Sequence, residues 1–235
     1  MTVVTISGQI GSGAREIGRL AAEHLQIDYI DQEILVQAAQ ELGVSMESVV
    51  SRDERTATLG ERLGSMFRRF LEQSAAASAA DPMLGTGGLE VLLGRTYAEA
   101  ATDAGPQEIS DERYIETLTN IVSDVADHGN VLVIGRGSQV ILNDRPSAVH
   151  VLLVAPLEWR IQEYARRTET AAEEAAKQVH EGDRGRAAFH HKFFKVEVDD
   201  PSLYHLALNT SHAPFEEIAQ LIGDAAGRFA ARPPA

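Results

Sequence analysis

The sequence predicts an α/β protein: a five-stranded parallel sheet between two layers of helices, interrupted by a helical insertion. Three observations support this fold class. Short apolar segments alternate with segments whose apolar residues recur at helical spacing, the pattern of parallel strands joined by helices. Residues 131–134 are apolar throughout, as in a strand buried on both faces of a sheet. The first 18 residues run from a β-branched strand through three glycines into a helix.

The first informative segment is the glycine loop, residues 8–16, which joins the first strand to the first helix. It comprises Gly8, Gln9, Ile10, Gly11, Ser12, Gly13, Ala14, Arg15 and Glu16. Glycines let backbone N–H groups converge on one point, and the N-terminus of the following helix adds partial positive charge. The order of elements therefore predicts a phosphate-binding loop.

The glycine loop departs from the common phosphate-loop pattern G-x-x-x-x-G-K-[ST]. Gly8 and Gly13 have the required separation, but Ala14 stands at the lysine position and Arg15 at the hydroxyl position. The guanidinium of Arg15 suits phosphate oxygens and would supply the missing charge. A hydroxyl for a metal ion would then come from Ser12 or Ser7.

Two other interpretations of the glycine loop stay open on the sequence alone. One is a strand-to-helix turn that binds nothing. The other is a dinucleotide-binding loop, suggested by Gly11 and Gly13 followed by Asp31. Glu16, however, occupies the position at which the G-x-G-x-x-G pattern needs its third glycine.

A second strand is predicted at residues 27–31, followed by a helix that ends near Gly43. Asp31 falls where this strand leaves the sheet, and ligands of open α/β sheets gather at the carboxyl ends of strands. Asp31 is therefore either a ligand-binding residue or the N-cap of the next helix. Residues 44–110 combine an amphipathic, arginine-containing stretch with an alanine- and glycine-rich one, which favours an inserted helical subdomain.

The sheet pattern resumes with a helix from about residue 111 to His128 and the apolar strand at 131–134. That strand ends in Gly135, Arg136 and Gly137. An arginine between glycines at the end of a buried strand is placed to hold an anion near the glycine loop. The alternative is an ion pair between Arg136 and Asp31 or another acid.

The last third of the chain predicts a fourth strand at 149–154, a helix starting near Pro156, a fifth strand at 203–210 and a closing helix. Arg160, Arg166 and Arg167 lie along the helix after Pro156. The polar residues between 168 and 195, with Arg184 and Arg186, predict a lid over a bound nucleotide. The adjacent His190 and His191 indicate a metal site only weakly, because neighbouring residues do not share a face.

Composition narrows the classes of function. The chain has 235 residues, no cysteine and a formal net charge of −14. The absence of cysteine excludes disulfides and thiolate metal sites. The negative charge argues against a general DNA or RNA binder, though not against a nucleotide held by a local arginine pocket. We see no signal peptide and no membrane-spanning segment, and we expect a cytoplasmic protein.

Taken together, the motifs resemble the cytidylate kinase-like proteins, a branch of the P-loop nucleoside monophosphate kinases. The resemblance rests on five segments in order: residues 5–7 with 11–17, 29–31, 134–137, 153–156 with Arg160, and 204–210. It covers both ends and the middle of the chain but not clearly residues 52–108. The better-known cytidylate kinases keep a lysine where this chain has Ala14.

The resemblance implies the three-layer fold of P-loop NTPases in three parts. These are a core of residues 1–43 and 111–235, a lid at about 169–195, and a monophosphate-binding or oligomerisation subdomain at 44–110. It implies transfer of a phosphoryl group from ATP to a nucleoside monophosphate such as CMP, with Mg²⁺. The ATP phosphates would be held by Gly8, Gly11, Ser12, Gly13, Ala14, Arg15 and Glu16.

The resemblance also implies roles for individual side chains outside the glycine loop. Asp31 and Arg136 would bind the monophosphate, while Arg15, Arg184 and Arg186 would be catalytic and Ser12 a possible Mg²⁺ ligand. Phosphoryl transfer needs positioning and charge neutralisation rather than a covalent nucleophile. Three hypotheses follow: a nucleoside monophosphate kinase, a kinase-like protein that senses a nucleotide, and a kinase of another small molecule. A homo-oligomer is compatible with each.

Overall fold

A computed structural model describes residues 1–33, 35, 95–101 and 111–230. The helix predicted between residue 34 and Gly43 lies outside the described residues except for Leu35. Most of the predicted insertion at 44–110 lies outside them as well. The five strands of the sheet and their carboxyl ends are within the described part.

Five strands and eight helices are defined in these residues. The strands are β1 (Val3–Gly8), β2 (Asp28–Ile30), β3 (Val131–Ile134), β4 (Ala148–Val154) and β5 (Leu206–Asn209). The α-helices are α1 (Ala14–Leu25), α2 (Tyr97–Ala101), α3 (Asp111–His128), α4 (Ser138–Ile141), α5 (Leu157–Thr168), α6 (Ala172–Phe194) and α7 (Phe215–Ala230). A short 3₁₀ helix covers Pro201–Leu203.

The strands form one sheet in the order β2-β3-β1-β4-β5, and every neighbouring pair is parallel. In the centre, Val4 of β1 is paired with Leu132 on one side and Val149 on the other. The carboxyl ends of β1, β3 and β4 therefore lie side by side at one edge of the sheet. The predicted five-stranded parallel α/β fold is confirmed.

The strand limits differ from prediction mainly at β5, which begins at Leu206 rather than at residue 203. Residues 201–203 form a 3₁₀ turn instead, because the Asp200 side chain accepts a hydrogen bond from the backbone N–H of Ser202 and Pro201 fits the first helical position. The apolar residues at 203 and 206 look like a continuous strand in the sequence, although this turn separates them.

Side-chain alternation along the strands divides the core into two layers. Val131 and Val133 pack against α3 and α6, whereas Leu132 packs against α1 and α7. The first layer contains Tyr114, Leu118 and Phe189, and the second contains Ile17 and Ile222. Helices thus cover both faces of the sheet, which buries every central strand on both sides.

The segment predicted as a polar lid, residues 169–195, is mostly one continuous helix. α6 has 23 residues and buries Ala175, Val179 and Phe189 against the body of the protein. Whether this helix closes over a ligand stays a prediction. None of the helices within the described residues is long and apolar enough to cross a membrane.

Candidate functional site

The carboxyl ends of β1 and β3 open into a cavity of about 720 Å³. Its walls come from the glycine loop, the end of β2, the turn after β3, the segment 96–98 and the helices α5 and α6. The lining residues include Gly8, Gln9, Ile10, Gly11, Gly13, Ala14, Arg15, Asp31, Thr96, Tyr97, Ala98, Arg136, Tyr164, Arg167, Glu181 and Arg186. Open α/β sheets bind ligands at the carboxyl ends of their strands, and the cavity lies at that edge of this sheet.

The glycine loop is shaped by two residues in the left-handed region, Gly11 at φ 84° and Gly13 at φ 86°. A Cβ atom on Gly11 would lie 2.5 Å from the carbonyl oxygen of Arg160. Helix α1 starts directly after Gly13, and no side chain caps that helix end. Its first N–H groups and its positive dipole end therefore face the cavity, as in an anion-binding loop.

Arg160 and Asp183 hold the backbone of Ile10 from both sides. Arg160 donates from Nη1 to the carbonyl oxygen of Ile10 at 2.8 Å and to Asp183 Oδ2 at 2.6 Å. Asp183 Oδ1 accepts a hydrogen bond from the N–H of Ile10 at 2.9 Å. Since Arg160 belongs to α5 and Asp183 to α6, both helices fix the conformation of the glycine loop.

Arg186 is buried at the cavity wall between α6 and the end of β1. It donates to Asp199 Oδ1 at 2.7 Å and to Ser7 Oγ at 3.1 Å, while its Nε has no partner within the described residues. Burial raises the pKa of Asp199, but the charge of Arg186 and hydrogen bonds from Gln9 and Arg186 outweigh it and hold that pKa below its usual value. Arg186 is therefore fixed in place as a charged residue.

Arg136 follows β3 and is also buried, with 3% of its surface exposed. It donates to the carbonyl oxygen of Arg95 at 2.6 Å and to the hydroxyl of Tyr114 at 3.3 Å. Its guanidinium carbon lies 5.4 Å from the ring centre of Tyr97. These contacts orient the guanidinium at the wall of the cavity.

Asp31 and Arg15 lie together at another side of the cavity. Asp31 is buried and accepts a hydrogen bond from the Tyr29 hydroxyl at 3.1 Å. Its backbone carbonyl also accepts the first helical bond, from Leu35, so it starts a helical turn as well as lining the cavity. Arg15 donates to Glu33, and its Nε lies 4.0 Å from Asp31 Oδ2. The pKa of Tyr29 is raised by burial and by the Asp31 charge.

Most of the residues selected from the sequence line this cavity, but Ser7, Ser12, Glu16 and Arg184 do not. Ser12 is fully buried, and its Oγ has no hydrogen-bond partner in the described part of the chain. Glu16 lies beside the loop, with a carboxylate oxygen 3.4 Å from Arg167 Nε. Arg184 is exposed and donates to the carbonyl oxygen of His180 in its own helix. Two positions along a helix turn by about 200°, so Arg184 and Arg186 face opposite ways.

The structure adds lining residues that sequence reasoning missed, chiefly Arg167 and Tyr97. Arg167 Nη2 is buried without a partner in the described residues, and it would lie 3.0 Å from a Cβ atom on Gly13. The spacing of Arg167 in the sequence could have identified it. It follows Arg160 by seven residues, which is two helical turns, so the two arginines lie on the same face of the helix. Tyr97 carried no comparable signal, because it falls in a stretch without a motif.

A magnesium ion carried in on substrate phosphates fits this cavity. Mg²⁺ keeps several waters and binds to proteins through one or two carboxylates. Asp31 and Glu181 are the carboxylates among the lining residues that the structure describes. The buried Ser12 hydroxyl is less suited to this role than Asp31. His190 and His191 form no metal site with other described residues, since no cluster of three ligating side chains occurs there.

A model of the cytidylate kinase-like family matches residues 3–212, which include every strand and the whole lining of the cavity. The chain belongs to the cytidylate kinase-like family. Membership supports phosphoryl transfer of the kinase type on a nucleotide-binding α/β core. The resemblance seen in the sequence is thereby confirmed at the level of the family.

Individual relatives are distant. An uncharacterized protein from Eubacterium ventriosum has 12% identity and a TM-score of 0.59, with 97% of this chain and 99% of that chain covered. A shikimate kinase from Acinetobacter baumannii, solved with shikimate, has 13% identity and a TM-score of 0.45, with 99% and 96% covered. A uronate isomerase from Corynebacterium glutamicum is 25% identical over 132 residues, 56% of this chain and 25% of that protein. The chain thus spans about a quarter of that relative's length.

Proposed function

We propose that the protein transfers the γ-phosphoryl group of ATP to a nucleoside monophosphate, and that CMP is the acceptor. The observation that carries the proposal is one cavity that joins three features. These are a glycine loop at an uncapped helix end, a buried arginine after β3 and a buried arginine on α6. Phosphoryl transfer requires this kind of arrangement, since its transition state is stabilised by positioned positive charge.

The residues divide into a donor side and an acceptor side of the cavity. The glycine loop, from Gly8 to Glu16, would bind the ATP phosphates through the uncapped backbone N–H groups at the start of α1, with Arg15 at its edge. Arg136 would bind the acceptor phosphate, because its guanidinium is held at the end of β3 in the wall of the cavity. Arg186 lines the same cavity from α6 and would stabilise charge on the transferring group.

A magnesium ion bound with the nucleotide would neutralise phosphate charge, and Asp31 would hold it through its coordinated waters. The ion pairs Arg160–Asp183 and Arg186–Asp199, in which the arginines are buried, keep the donor loop and the α6 arginine in fixed positions. Such fixed charges need no reorganisation when the reaction occurs.

The test is a phosphotransferase assay with ATP and Mg²⁺ against CMP, UMP, AMP, GMP and shikimate. We expect a diphosphate product with CMP, and a loss of about a hundredfold or more in kcat/KM for Arg136→Gln. Wild-type protein that forms no diphosphate from any monophosphate contradicts the proposal. A product with shikimate alone would instead identify a kinase of another small molecule.

A specific observation favours a second candidate, a protein that binds a nucleotide without turning it over. Ala14 removes the loop lysine, and Arg15, the nearest cation in sequence, is engaged by Glu33 and lies near Asp31. Calorimetric binding of ATP·Mg²⁺ without phosphoryl transfer would select this candidate. Turnover that is lost in Arg15→Ala would exclude it.

A further inference from the structure

The turn after β3 contains three successive residues in the left-handed region: Gly135 at φ 71°, Arg136 at φ 58° and Gly137 at φ 71°. Glycine adopts this conformation at no steric cost, but a residue with a Cβ atom does not. Arg136 therefore needs contacts that hold its backbone in place. The structure shows what provides them.

Tyr97 supplies the contact to the backbone. Its hydroxyl accepts a hydrogen bond from the N–H of Arg136 at 2.8 Å. A Cβ atom on Gly135 would overlap that same hydroxyl, so only glycine there allows the tyrosine to approach. The Tyr97 ring also lies under the Arg136 guanidinium, 5.4 Å from its central carbon. One side chain thus contacts both ends of Arg136.

Tyr97 is itself held by α6. Its ring meets that of Phe189 edge-on at 5.1 Å, and a Cβ atom on Gly185 would lie 2.9 Å from the backbone nitrogen of Ala98. The segment 95–101 therefore packs between α6 and the turn that contains Arg136. Arg95, at the start of this segment, accepts a hydrogen bond from the Arg136 guanidinium through its carbonyl oxygen.

We infer that Tyr97 is a positioning residue for an anion site at Arg136, and that this site takes the phosphate of a phosphomonoester acceptor. The inference rests on the proposed function and deepens it. Tyr97 sets where the guanidinium lies, and the docking of segment 95–101 on α6 sets where Tyr97 lies. Acceptor affinity then depends on a tyrosine hydroxyl that has no need to touch the acceptor.

The test measures dissociation constants by calorimetry for CMP, inorganic phosphate and ATP·Mg²⁺ on the full chain. We expect Tyr97→Phe to weaken binding of CMP and phosphate about tenfold, because a buried backbone N–H loses its partner. Affinity for ATP·Mg²⁺ should stay within about twofold of wild type, since the glycine loop is untouched. In turnover, KM for CMP should rise far more than kcat falls.

Two further variants make the test specific. Gly135→Ala should give the same selective loss, because its methyl group displaces the same hydroxyl. Tyr204→Phe is the matched control: its hydroxyl donates to the carbonyl oxygen of Val198 at 2.6 Å and hydrogen-bonds Ser7, and neither residue lines the cavity. We expect it to lower the melting temperature as much as Tyr97→Phe does while CMP affinity is retained.

Three results would overturn the inference. Unchanged CMP and phosphate affinity in Tyr97→Phe would show that the hydroxyl does not position Arg136. An equal loss of ATP affinity would show a general structural role. Wild-type protein that binds ATP but neither CMP nor phosphate would remove the acceptor site itself, and with it the proposed function. The first two results leave the proposed function intact.

Discussion

The Asp183 carboxylate and the Arg160 guanidinium meet at 2.6 Å, and each also binds the backbone of Ile10. Arg160 is nearly buried and its Asp183 partner is partly so. A charge pair in this environment is costly to break, because either partner left alone is an uncompensated charge. The pair therefore links α5, α6 and the glycine loop into one unit.

The first prediction is that Asp183→Asn lowers the free energy of unfolding by roughly 2–4 kcal/mol. The amide can still accept from Ile10, but its NH₂ group opposes the Arg160 guanidinium. Urea unfolding measures this, and calorimetry should show weaker ATP·Mg²⁺ binding because the loop loses its support. Asp127→Asn, in the surface pair with Arg145, is the control and should cost less than about 1 kcal/mol. Equal costs in the two variants would contradict the role of the buried pair.

The second prediction concerns glycine itself. Gly11→Ala should lower the free energy of unfolding by about 2 kcal/mol or more, since it combines a left-handed backbone with overlap against Arg160. Gly227→Ala is the matched change on the exposed side of α7, where a Cβ atom would meet nothing within 4 Å. It should raise stability by about 0.5–1 kcal/mol. Thermal unfolding of both variants checks the pair, and a stable Gly11→Ala protein would contradict the loop geometry.

The sheet could be predicted because its information is local. A strand whose residues are all apolar is buried on both faces of the sheet. The sequence pattern alone therefore assigns Val131, Leu132 and Val133 to buried positions. The glycine loop and Arg136 were found for a similar reason: the carboxyl ends of parallel strands have a known place in the fold.

The partners of the charged residues could not be predicted in this way. Arg160 and Arg166 look alike in the sequence, yet their side chains are 7% and 67% exposed. The difference depends on which face of α5 packs against α6, and that is determined by tertiary structure rather than by local sequence. Arg184 and Arg186 were likewise grouped, because helical phase could not be applied to a segment interpreted as a polar lid. Tyr97 was missed because its contact with Arg136 spans 39 residues.

The third prediction is a loss of stability on acidification. Burial lowers the pKa values of both His150 and His190 to about 4. The nearby His205 lowers the pKa of His150 further. Below pH 6.5 the unfolded chain binds protons that the folded protein cannot take up, so stability falls from pH 6.5 towards 4. Each histidine contributes up to about 1.4 kcal/mol per pH unit in this window.

Urea unfolding between pH 7.5 and 4.5 measures this slope. His190→Gln should flatten it, because one buried titrating group is removed. The neighbouring His191, with its side chain 72% exposed, provides the control variant His191→Gln, which should leave the slope as in wild type. Stability that is constant across this range would show that neither buried histidine resists protonation.

The fourth prediction separates Arg184 and Arg186, the two arginines of α6 that the sequence analysis grouped as catalytic residues of a lid. Arg186→Gln should lower kcat of the proposed reaction about a hundredfold or more, because this residue lines the cavity in a fixed orientation. Arg184→Gln removes the same charge from the outer face of α6, and its effect should stay within about threefold. Steady-state kinetics with ATP and CMP provide the comparison. A larger loss in Arg184→Gln would mean that α6 rotates or unwinds during turnover.

The fifth prediction identifies the cation that compensates for the lysine missing at Ala14. Both arginines pair with acids, Arg167 through its Nε with Glu163 and Glu16, and Arg15 with Glu33 and Asp31. Arg167 differs in that its buried Nη2 lies against Gly13 and has no partner among the described contacts. Phosphate bound at the loop would give that nitrogen a charged partner. Arg167→Ala should therefore weaken ATP·Mg²⁺ binding about tenfold or more, and by more than Arg15→Ala does.

Arg166→Ala is the control, since it removes the same charge one residue earlier from an exposed side chain that contacts only Glu163 within the described residues. Its ATP affinity should match wild type. Calorimetric measurement of ATP·Mg²⁺ affinity decides between Arg15 and Arg167. Each of the three variants removes one positive charge, so at one salt concentration the long-range effect of the lost charge is the same in all of them. A greater loss in Arg15→Ala would assign the compensating charge to the loop itself, as its place in the sequence suggests.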